Sequence, residues 1–185
     1  MGAGIRLRRA AVDDAEGVAR IQHASWRQAY LGMLPHEILT GMDQSQGTAF
    51  WHKVLGQREQ HDSVIVAELD GEPLGFVSFG PIRFRIPGYS GEFYALYVLP
   101  EAQGCGVGTA LMAQAARALI RRRWISATVW VLEDNHLGRR FYERLGGLPL
   151  GSPKTLHYRG QNYDAVREVA YGWPDLRQAP WLVEN

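Results

Sequence analysis

Residues 96–112 read LYVLPEAQGCGVGTALM, and this stretch determines which fold the chain can adopt. It begins as a β-strand pattern, turns at Pro100, and crosses a glycine-rich loop at residues 103–108 into a helix rich in Ala and Leu. The first amide N–H groups of a helix have no intrahelical acceptor, and the helix dipole makes that end partly positive. Glycines at 104, 106 and 108 remove the Cβ atoms that would keep an anion away from these amides. The segment therefore predicts a pyrophosphate site, and a glycine turn without a ligand is the alternative.

Two common phosphate-binding loops do not fit this spacing. A P-loop ends in Gly-Lys-Ser/Thr, whereas Gly108 is followed by Thr109 and Ala110. A Rossmann loop reads Gly-x-Gly-x-x-Gly, whereas the glycines here follow each other at every second position, which is one residue too short. The spacing therefore excludes both loop types.

The pattern Gln-x-x-Gly-x-Gly, after a strand that ends Tyr-Val-x-Pro-Glu, resembles the acetyl-coenzyme A (acetyl-CoA) loop of the GNAT superfamily of N-acetyltransferases. Further along, WVLEDN at residues 130–135 and RRFYERLGG at residues 139–147 resemble the second signature of that family. WRQAY at residues 26–30 resembles a segment of one broad GNAT branch. Two signatures in the right order are much more specific than either alone. The resemblance implies one N-acetyltransferase domain that covers residues 1–185.

The hydrophobic pattern predicts the order β-α-α-β-β-β-α-β-α-β-β. This is an α/β fold, an α+β mixed sheet with helices on both faces, and the resemblance to GNAT proteins implies the same fold. A helix over residues 15–30 is expected to take its N-cap from Asp13 or Asp14. Pro35 begins a short turn or helix, Asp70-Gly71 predicts a hairpin, and residues 91–98 form the fourth strand.

Composition limits the possible partners and compartments. A chain of 185 residues with a formal net charge of +1 gives no reason to expect nucleic-acid or membrane binding. It contains no apolar run long enough for a membrane span and no apolar signal core. A single cysteine, Cys105, cannot form an internal disulfide, so a cytoplasmic location is the default expectation.

The resemblance implies an acetyl-CoA site and its residues. We expect the pyrophosphate on the backbone amides of the glycine loop, including that of Gln103. The pantetheine arm would pair with the edge of the fourth strand, which in the family separates from the fifth. Asn135 is expected to bond the pantetheine arm, with a helix N-cap as the alternative, and Arg139 to approach the phosphates, with a solvent-exposed helix face as the alternative. The predicted cofactor-binding residues are Leu96, Tyr97, Val98, Gln103, Gly104, Cys105, Gly106, Val107, Gly108, Thr109, Asn135, Arg139 and Tyr142.

Two residues are predicted to act in catalysis. The resemblance places Tyr142 beside the thioester sulfur, where a phenol with a pKa near 10 can protonate the leaving thiolate. The alternative for Tyr142 is an ordinary core aromatic. Glu92 is the predicted base, because strict strand alternation would place it on the same side as Tyr94, Leu96 and Val98. A solvated glutamate at a strand start is equally compatible with the pattern, and Glu133 or water are alternative bases.

Aromatic residues predict an acceptor pocket made by Trp26, Tyr30, Tyr94 and Trp130, although the same residues suit an ordinary core. The predicted function is N-acetyl transfer from acetyl-CoA to a primary amine by direct attack in a ternary complex, without a metal. The alternative is a non-catalytic acyl-CoA sensor on the same fold. The sequence leaves open the identity of the amine, the length of the acyl group and a homodimer that uses the C-terminal strands and Trp181.

Overall fold

The computed structural model describes residues 4–57 and 63–182, and within these ranges a seven-stranded mixed sheet forms the centre of the molecule. Its strands are β1 (Arg6–Arg9), β2 (Ser63–Leu69), β3 (Glu72–Pro81), β4 (Gly91–Val98), β5 (Ala127–Leu132), β6 (Leu148–Tyr158) and β7 (Gln161–Trp173). The helices are α1 (Ala15–Ala29), α2 (His36–Thr40), α3 (Gln44–Gly56), α4 (Val107–Arg121) and α5 (His136–Arg144).

The strands lie in the order β1-β2-β3-β4-β5-β7-β6. Neighbouring strands are antiparallel except for β4 and β5, which are parallel because α4 connects them. This arrangement confirms the predicted mixed sheet and element order, with α2 as the short helix that follows Pro35.

The hairpin between β2 and β3 forms where the sequence predicts it. Asp70 and Gly71 have positive φ angles of 52° and 87°, as a two-residue hairpin turn of the primed type requires.

The start of α1 differs from the prediction. Asp14 makes no side-chain cap to the helix. Its carboxylate instead accepts hydrogen bonds from Arg8 Nη1 at 2.6 Å and from the amide of Ala11 at 2.7 Å. The arginine on β1 provides a stronger, charge-assisted partner than a helix amide, so Asp14 ties the first strand to the first helix.

Both faces of the sheet are covered by helices. Helix α4 packs its buried residues, among them Leu111, Met112 and Leu119, on one face together with residues of α5. Helices α1 and α3 cover β2 and β3 on the other face, where Ile21 and Trp51 are buried. Among the helices of the described ranges, none is long and apolar enough to cross a membrane.

Strands β4 and β5 separate after a short paired segment. They pair only at residues 91–93 of β4, ending with Phe93 opposite Val129. The rest of β4 therefore presents an open edge towards β5, as the resemblance implies.

A β-bulge on β4 changes which side chains share a face. Ser78 pairs with Ala95 but Phe79 pairs with Phe93, so Tyr94 is an extra residue on β4. As a result, Phe93, Leu96 and Val98 pack towards α4, while Ala95 and Tyr97 pack towards α1. The predicted alternation that placed Glu92 with Leu96 and Val98 is wrong, because the bulge reverses the face of every residue after it.

The C-terminal segment is tied to the body of the protein. Trp181 packs against Trp173 with ring centroids 6.2 Å apart, and its Nε1 donates to the carbonyl oxygen of Leu145 at 2.7 Å. Trp181 is thus used within the chain, and a homodimer through this region stays a prediction.

Candidate active site

A cleft of about 870 Å³ lies where β4 and β5 separate. Its walls are the open edge of β4, the glycine loop with the start of α4, the first turns of α5, and the end of α1. The predicted site residues that line it are Tyr30, Tyr94, Leu96, Tyr97, Val98, Gln103, Gly104, Gly106, Gly108, Thr109, Trp130, Asn135 and Tyr142.

The glycine loop has the backbone conformation that an anion cradle needs. Gly104 and Gly106 have φ angles of 75° and 81°, which other residues adopt only under strain. At Gly108 an added Cβ would lie 3.3 Å from Phe141 Cζ, so this glycine lets α4 and α5 approach closely. Within the ranges that the structure describes, no protein acceptor pairs with the amides of Gly104, Gly106, Gly108 and Thr109.

Gln103 has a different role from the predicted one. Its backbone amide already donates to the carbonyl oxygen of Pro100 at 3.2 Å, so this amide is not a free phosphate donor. Its side-chain Nε2 donates to the carbonyl oxygen of Val98 at 2.9 Å and thereby ties the loop to the end of β4.

Two predicted loop residues do not line the cleft. The side chain of Cys105 is exposed, and its Sγ lies 3.6 Å from the carbonyl oxygen of Gln103. Val107 is buried in the core beneath the first turn of α4. For both residues only the backbone belongs to the loop.

Tyr142 lies in the wall of the cleft and is only 7% exposed. Its ring packs against those of Tyr171 and Trp173, which fixes its direction. Burial, with a smaller contribution from the nearby Tyr97, raises the pKa of Tyr142 well above the usual value of 10.0. The phenol therefore keeps its proton throughout the physiological range.

Asn135 has the N-cap role that the sequence offered as the alternative, and its pantetheine role stays a prediction. Its Oδ1 accepts a hydrogen bond from the amide of Gly138 at 2.9 Å, so it is the N-cap of α5. It also lines the cleft. Because the cap uses Oδ1, the Nδ2 group is the part of the side chain that can donate to a ligand.

Arg139 does not line the cleft. Its Nε donates to the hydroxyl of Tyr171 at 3.1 Å, and its Nη1 donates to the carbonyl oxygen of Glu133 at 2.9 Å. The guanidinium therefore ties α5 to β7 and to the residue that follows β5. It does not belong to the cleft wall that contains the glycine loop.

Glu92 is fully buried and does not line the cleft. Its carboxylate accepts hydrogen bonds from the Arg83 backbone amide at 2.9 Å, from Nε at 3.1 Å and from Nη2 at 2.6 Å. Glu92 lies in the segment of β4 that is still paired with β5, opposite Thr128, and Arg83 uses both of its carboxylate oxygens. The structure does not bring Glu92 and Tyr142 together in one wall.

The acceptor side of the cleft is aromatic. Tyr94 donates to the carbonyl oxygen of Pro81 at 2.7 Å, and the Arg83 guanidinium lies 4.2 Å from the centre of its ring. Trp130 lines the cleft next to it, whereas Trp26 packs behind the wall against Tyr30. Burial raises the pKa of Tyr30 as well.

Sequence reasoning missed several cleft residues. Gly138 and Phe141 line the cleft from α5, one and two turns after Asn135, so helical spacing from Asn135 could have identified them. Ser25 lines it from α1 and is buried. Neither Ser25 Oγ nor Trp130 Nε1 has a hydrogen-bond partner among the described residues.

The family model of the acetyltransferase (GNAT) family matches residues 20–147, which is more than half of the chain. This chain belongs to the GNAT family. It is 33% identical to the N-acetyltransferase YuaI of Bacillus subtilis over 98% of this chain and 99% of the relative. It is 34% identical to an N-acetyltransferase of Archaeoglobus fulgidus over 75% of this chain and 89% of that protein.

Solved structures have the same fold as this GNAT chain. The PaiA N-acetyltransferase of Thermoplasma acidophilum, solved with coenzyme A, matches with a TM-score of 0.67 at 19% identity, over 92% of this chain and 99% of the other. YncA of Salmonella typhimurium, solved with acetyl-CoA, matches with a TM-score of 0.63 at 19% identity, over 95% of this chain and 96% of the other. The predicted family and fold are therefore confirmed.

The cleft of this GNAT chain fits coenzyme A by its own chemistry. Amides without a protein acceptor at the start of α4 suit the pyrophosphate. An open strand edge suits the amide groups of pantetheine. Among the described residues, no group of three His, Cys, Asp or Glu side chains could hold a metal ion.

Proposed function

We propose that this chain is a single-domain enzyme, over residues 1–185, that transfers the acetyl group of acetyl-CoA to a primary amine of a small molecule, peptide or protein. The amine attacks directly while both substrates are bound. The observation that carries the proposal is one cleft whose wall combines the glycine-loop amides, the open edge of β4 and the phenol of Tyr142.

Acetyl-CoA would be bound mainly by main-chain groups. The amides of Gly104, Gly106, Gly108 and Thr109 hold the pyrophosphate, and the edge at residues 96–98 pairs with pantetheine. The Nδ2 group of Asn135 donates to the pantetheine arm. The carbonyl oxygen of Val98 already accepts a hydrogen bond from Gln103 Nε2 and, with its second lone pair, can accept one from pantetheine as well.

Acetyl-CoA supplies a thioester that an amine can attack. Tyr142 stays protonated, because burial raises its pKa, and donates this proton to the sulfur as the C–S bond breaks. A general acid in this position contributes about 10²–10⁴ in rate. Backbone amides of β4 after the bulge, where β4 no longer pairs with β5, would stabilise the carbonyl oxygen.

The base is best assigned to water in the cleft. Arg83 holds both oxygens of Glu92, so direct proton transfer from the amine to this buried carboxylate would remove the charge that pairs with Arg83. An α-amino group with a pKa near 8 needs little help, whereas a lysine-like amine with a pKa near 10.4 needs more. We also propose a cytoplasmic location, which the single cysteine supports.

The test is release of free thiol from acetyl-CoA in the presence of a panel of primary amines, with the wild type and Tyr142→Phe. The enzyme proposal predicts that Tyr142→Phe lowers kcat about 10²-fold or more and keeps the affinity for coenzyme A. Tyr89→Phe is the matched control, because Tyr89 does not line the cleft. A chain that binds coenzyme A but releases no thiol with any amine would support the sensor alternative instead.

A further inference from the structure

The ammonium group of Lys154 lies in a cage beside the cleft. Its Nζ is 4.0 Å from the ring centre of Phe84 and 4.0 Å from that of Trp130. The carboxylate of Glu168 is 3.4 Å from the same nitrogen. We call Phe84, Trp130 and Glu168 the ammonium cage.

Three separate parts of the chain build the ammonium cage. Glu168 lies opposite Lys154 in the β6–β7 register, and Trp130 lies opposite Ala170, two residues further along β7. Trp130 and Glu168 are therefore on the same face of the sheet. Phe84 comes from the loop between β3 and β4 and is 52% exposed, so its ring is accessible from solvent.

The chemistry of the cage is that of an amine receptor. Aromatic faces with a carboxylate attract primary and quaternary ammonium groups. Glu168 is only 18% exposed on its side chain, and burial raises its pKa, so its ionised form gains from a cation beside it. The ion pair itself is partly open to water, with Lys154 31% exposed, and a pair of this kind adds little to stability.

The cage is next to the cleft and not inside it. Trp130 belongs to both, whereas Phe84, Lys154 and Glu168 do not line the cleft. The Nε1 of Trp130 is buried and has no acceptor among the described residues. A molecule that reaches from the cleft past Trp130 would place its far end, and not its reacting end, in the cage.

We propose that the ammonium cage is a subsite for a second, non-reacting ammonium group of the acceptor, and that Lys154 fills the subsite until such an acceptor displaces it. This inference rests on the proposed function and narrows the acceptor to a molecule with two amino groups. Lys154 has a flexible stem and acts as an intramolecular competitor, so removing its charge frees the cage.

The first test measures binding and does not depend on turnover. Cadaverine and n-pentylamine, which has the same carbon chain but one amino group, are titrated by calorimetry into the protein saturated with coenzyme A. The preference is the ratio of the n-pentylamine to the cadaverine dissociation constant. We expect a preference above unity in the wild type and one about tenfold larger in Lys154→Met.

Two variants test the cage itself. Added to Lys154→Met, which empties the cage, Glu168→Gln and Phe84→Leu should each lower the preference by roughly threefold or more, because each removes one attraction to the second ammonium group. Phe84 is on an exposed loop, so Phe84→Leu tests the cage without disturbing the sheet. Asp175→Asn, which breaks an exposed ion pair with Arg177, is the control and should leave the preference unchanged.

The same preference in Lys154→Met and in the wild type would overturn the proposal, as would an unchanged preference when Phe84→Leu is added to Lys154→Met. Steady-state measurement of thiol release then distinguishes a failure of the subsite proposal from a failure of the proposed enzymatic function. Acetylation of n-pentylamine as efficiently as cadaverine would refute the subsite and leave the enzyme intact. Absence of turnover with every amine would refute the enzyme, while the binding preference would still decide the subsite.

Discussion

Replacing Gly106 with alanine separates the shape of the glycine loop from the rest of the fold. Gly106 has a φ of 81°, and an added Cβ would have no heavy atom of the described residues within 4 Å. The substitution therefore causes conformational strain without a steric clash. Placing a non-glycine residue in this left-handed region costs about 1–2 kcal/mol.

The strain should appear in both stability and binding. We expect the free energy of unfolding to fall by about 1–2 kcal/mol, which corresponds to a Tm lower by roughly 2–8 °C. If the loop changes conformation to relieve the strain, its amide N–H groups no longer converge on the pyrophosphate site. The dissociation constant for coenzyme A should then rise about tenfold, which is ~1.4 kcal/mol.

Gly160→Ala provides a matched control. Gly160 lies in the turn between β6 and β7 and has a φ of 80°. In the part of the chain that the structure describes, no heavy atom lies within 4 Å of an added Cβ at this position either. It should lose as much stability as Gly106→Ala but bind coenzyme A like the wild type. Calorimetric titration and thermal unfolding of both variants provide the comparison. Equal coenzyme A affinity in the two variants would refute the role of the loop amides.

Asn135→Asp keeps the N-cap acceptor of α5 but removes the Nδ2 donor, so it should keep Tm within about 2 °C and weaken coenzyme A binding, as calorimetry can measure. Glu92→Gln should lower the free energy of unfolding by about 1–3 kcal/mol in urea titrations, since it removes the buried charge to which Arg83 donates, and should change kcat less than tenfold; a larger loss of kcat in the folded variant would restore Glu92 as the base. Burial raises the pKa of Tyr142 and Tyr97 above 10.0, so the folded state keeps protons that the unfolded chain loses. The stabilisation that these two tyrosines provide should therefore be fully present below pH 10 and be lost as the pH rises above it, so the free energy of unfolding should fall in that range, and fall less in Tyr142→Phe.

The glycine loop and the helix signature were predictable because local rules determine them. Gly104 and Gly106 have the positive φ angles that only glycine adopts easily, and Asn135 caps the helix that follows it. Asp70-Gly71 forms a turn whose geometry depends on these two residues alone. Such features need no knowledge of distant contacts.

The errors came from contacts between distant parts of the chain. The bulge at Tyr94 is visible only in the register with β3, and it turned Glu92 to the opposite face. Arg139 donates hydrogen bonds to Tyr171 and Glu133, and Asp14 accepts hydrogen bonds from Arg8. A charged side chain binds whichever partner the fold brings near, and sequence spacing does not contain that information.

The most direct test is a crystal structure of this chain with coenzyme A. We predict that the pyrophosphate contacts the amides at residues 104–109, and that the sulfur lies within hydrogen-bonding distance of the Tyr142 hydroxyl. A pyrophosphate bound elsewhere, or a sulfur separated from Tyr142 by other side chains, would contradict the proposed chemistry.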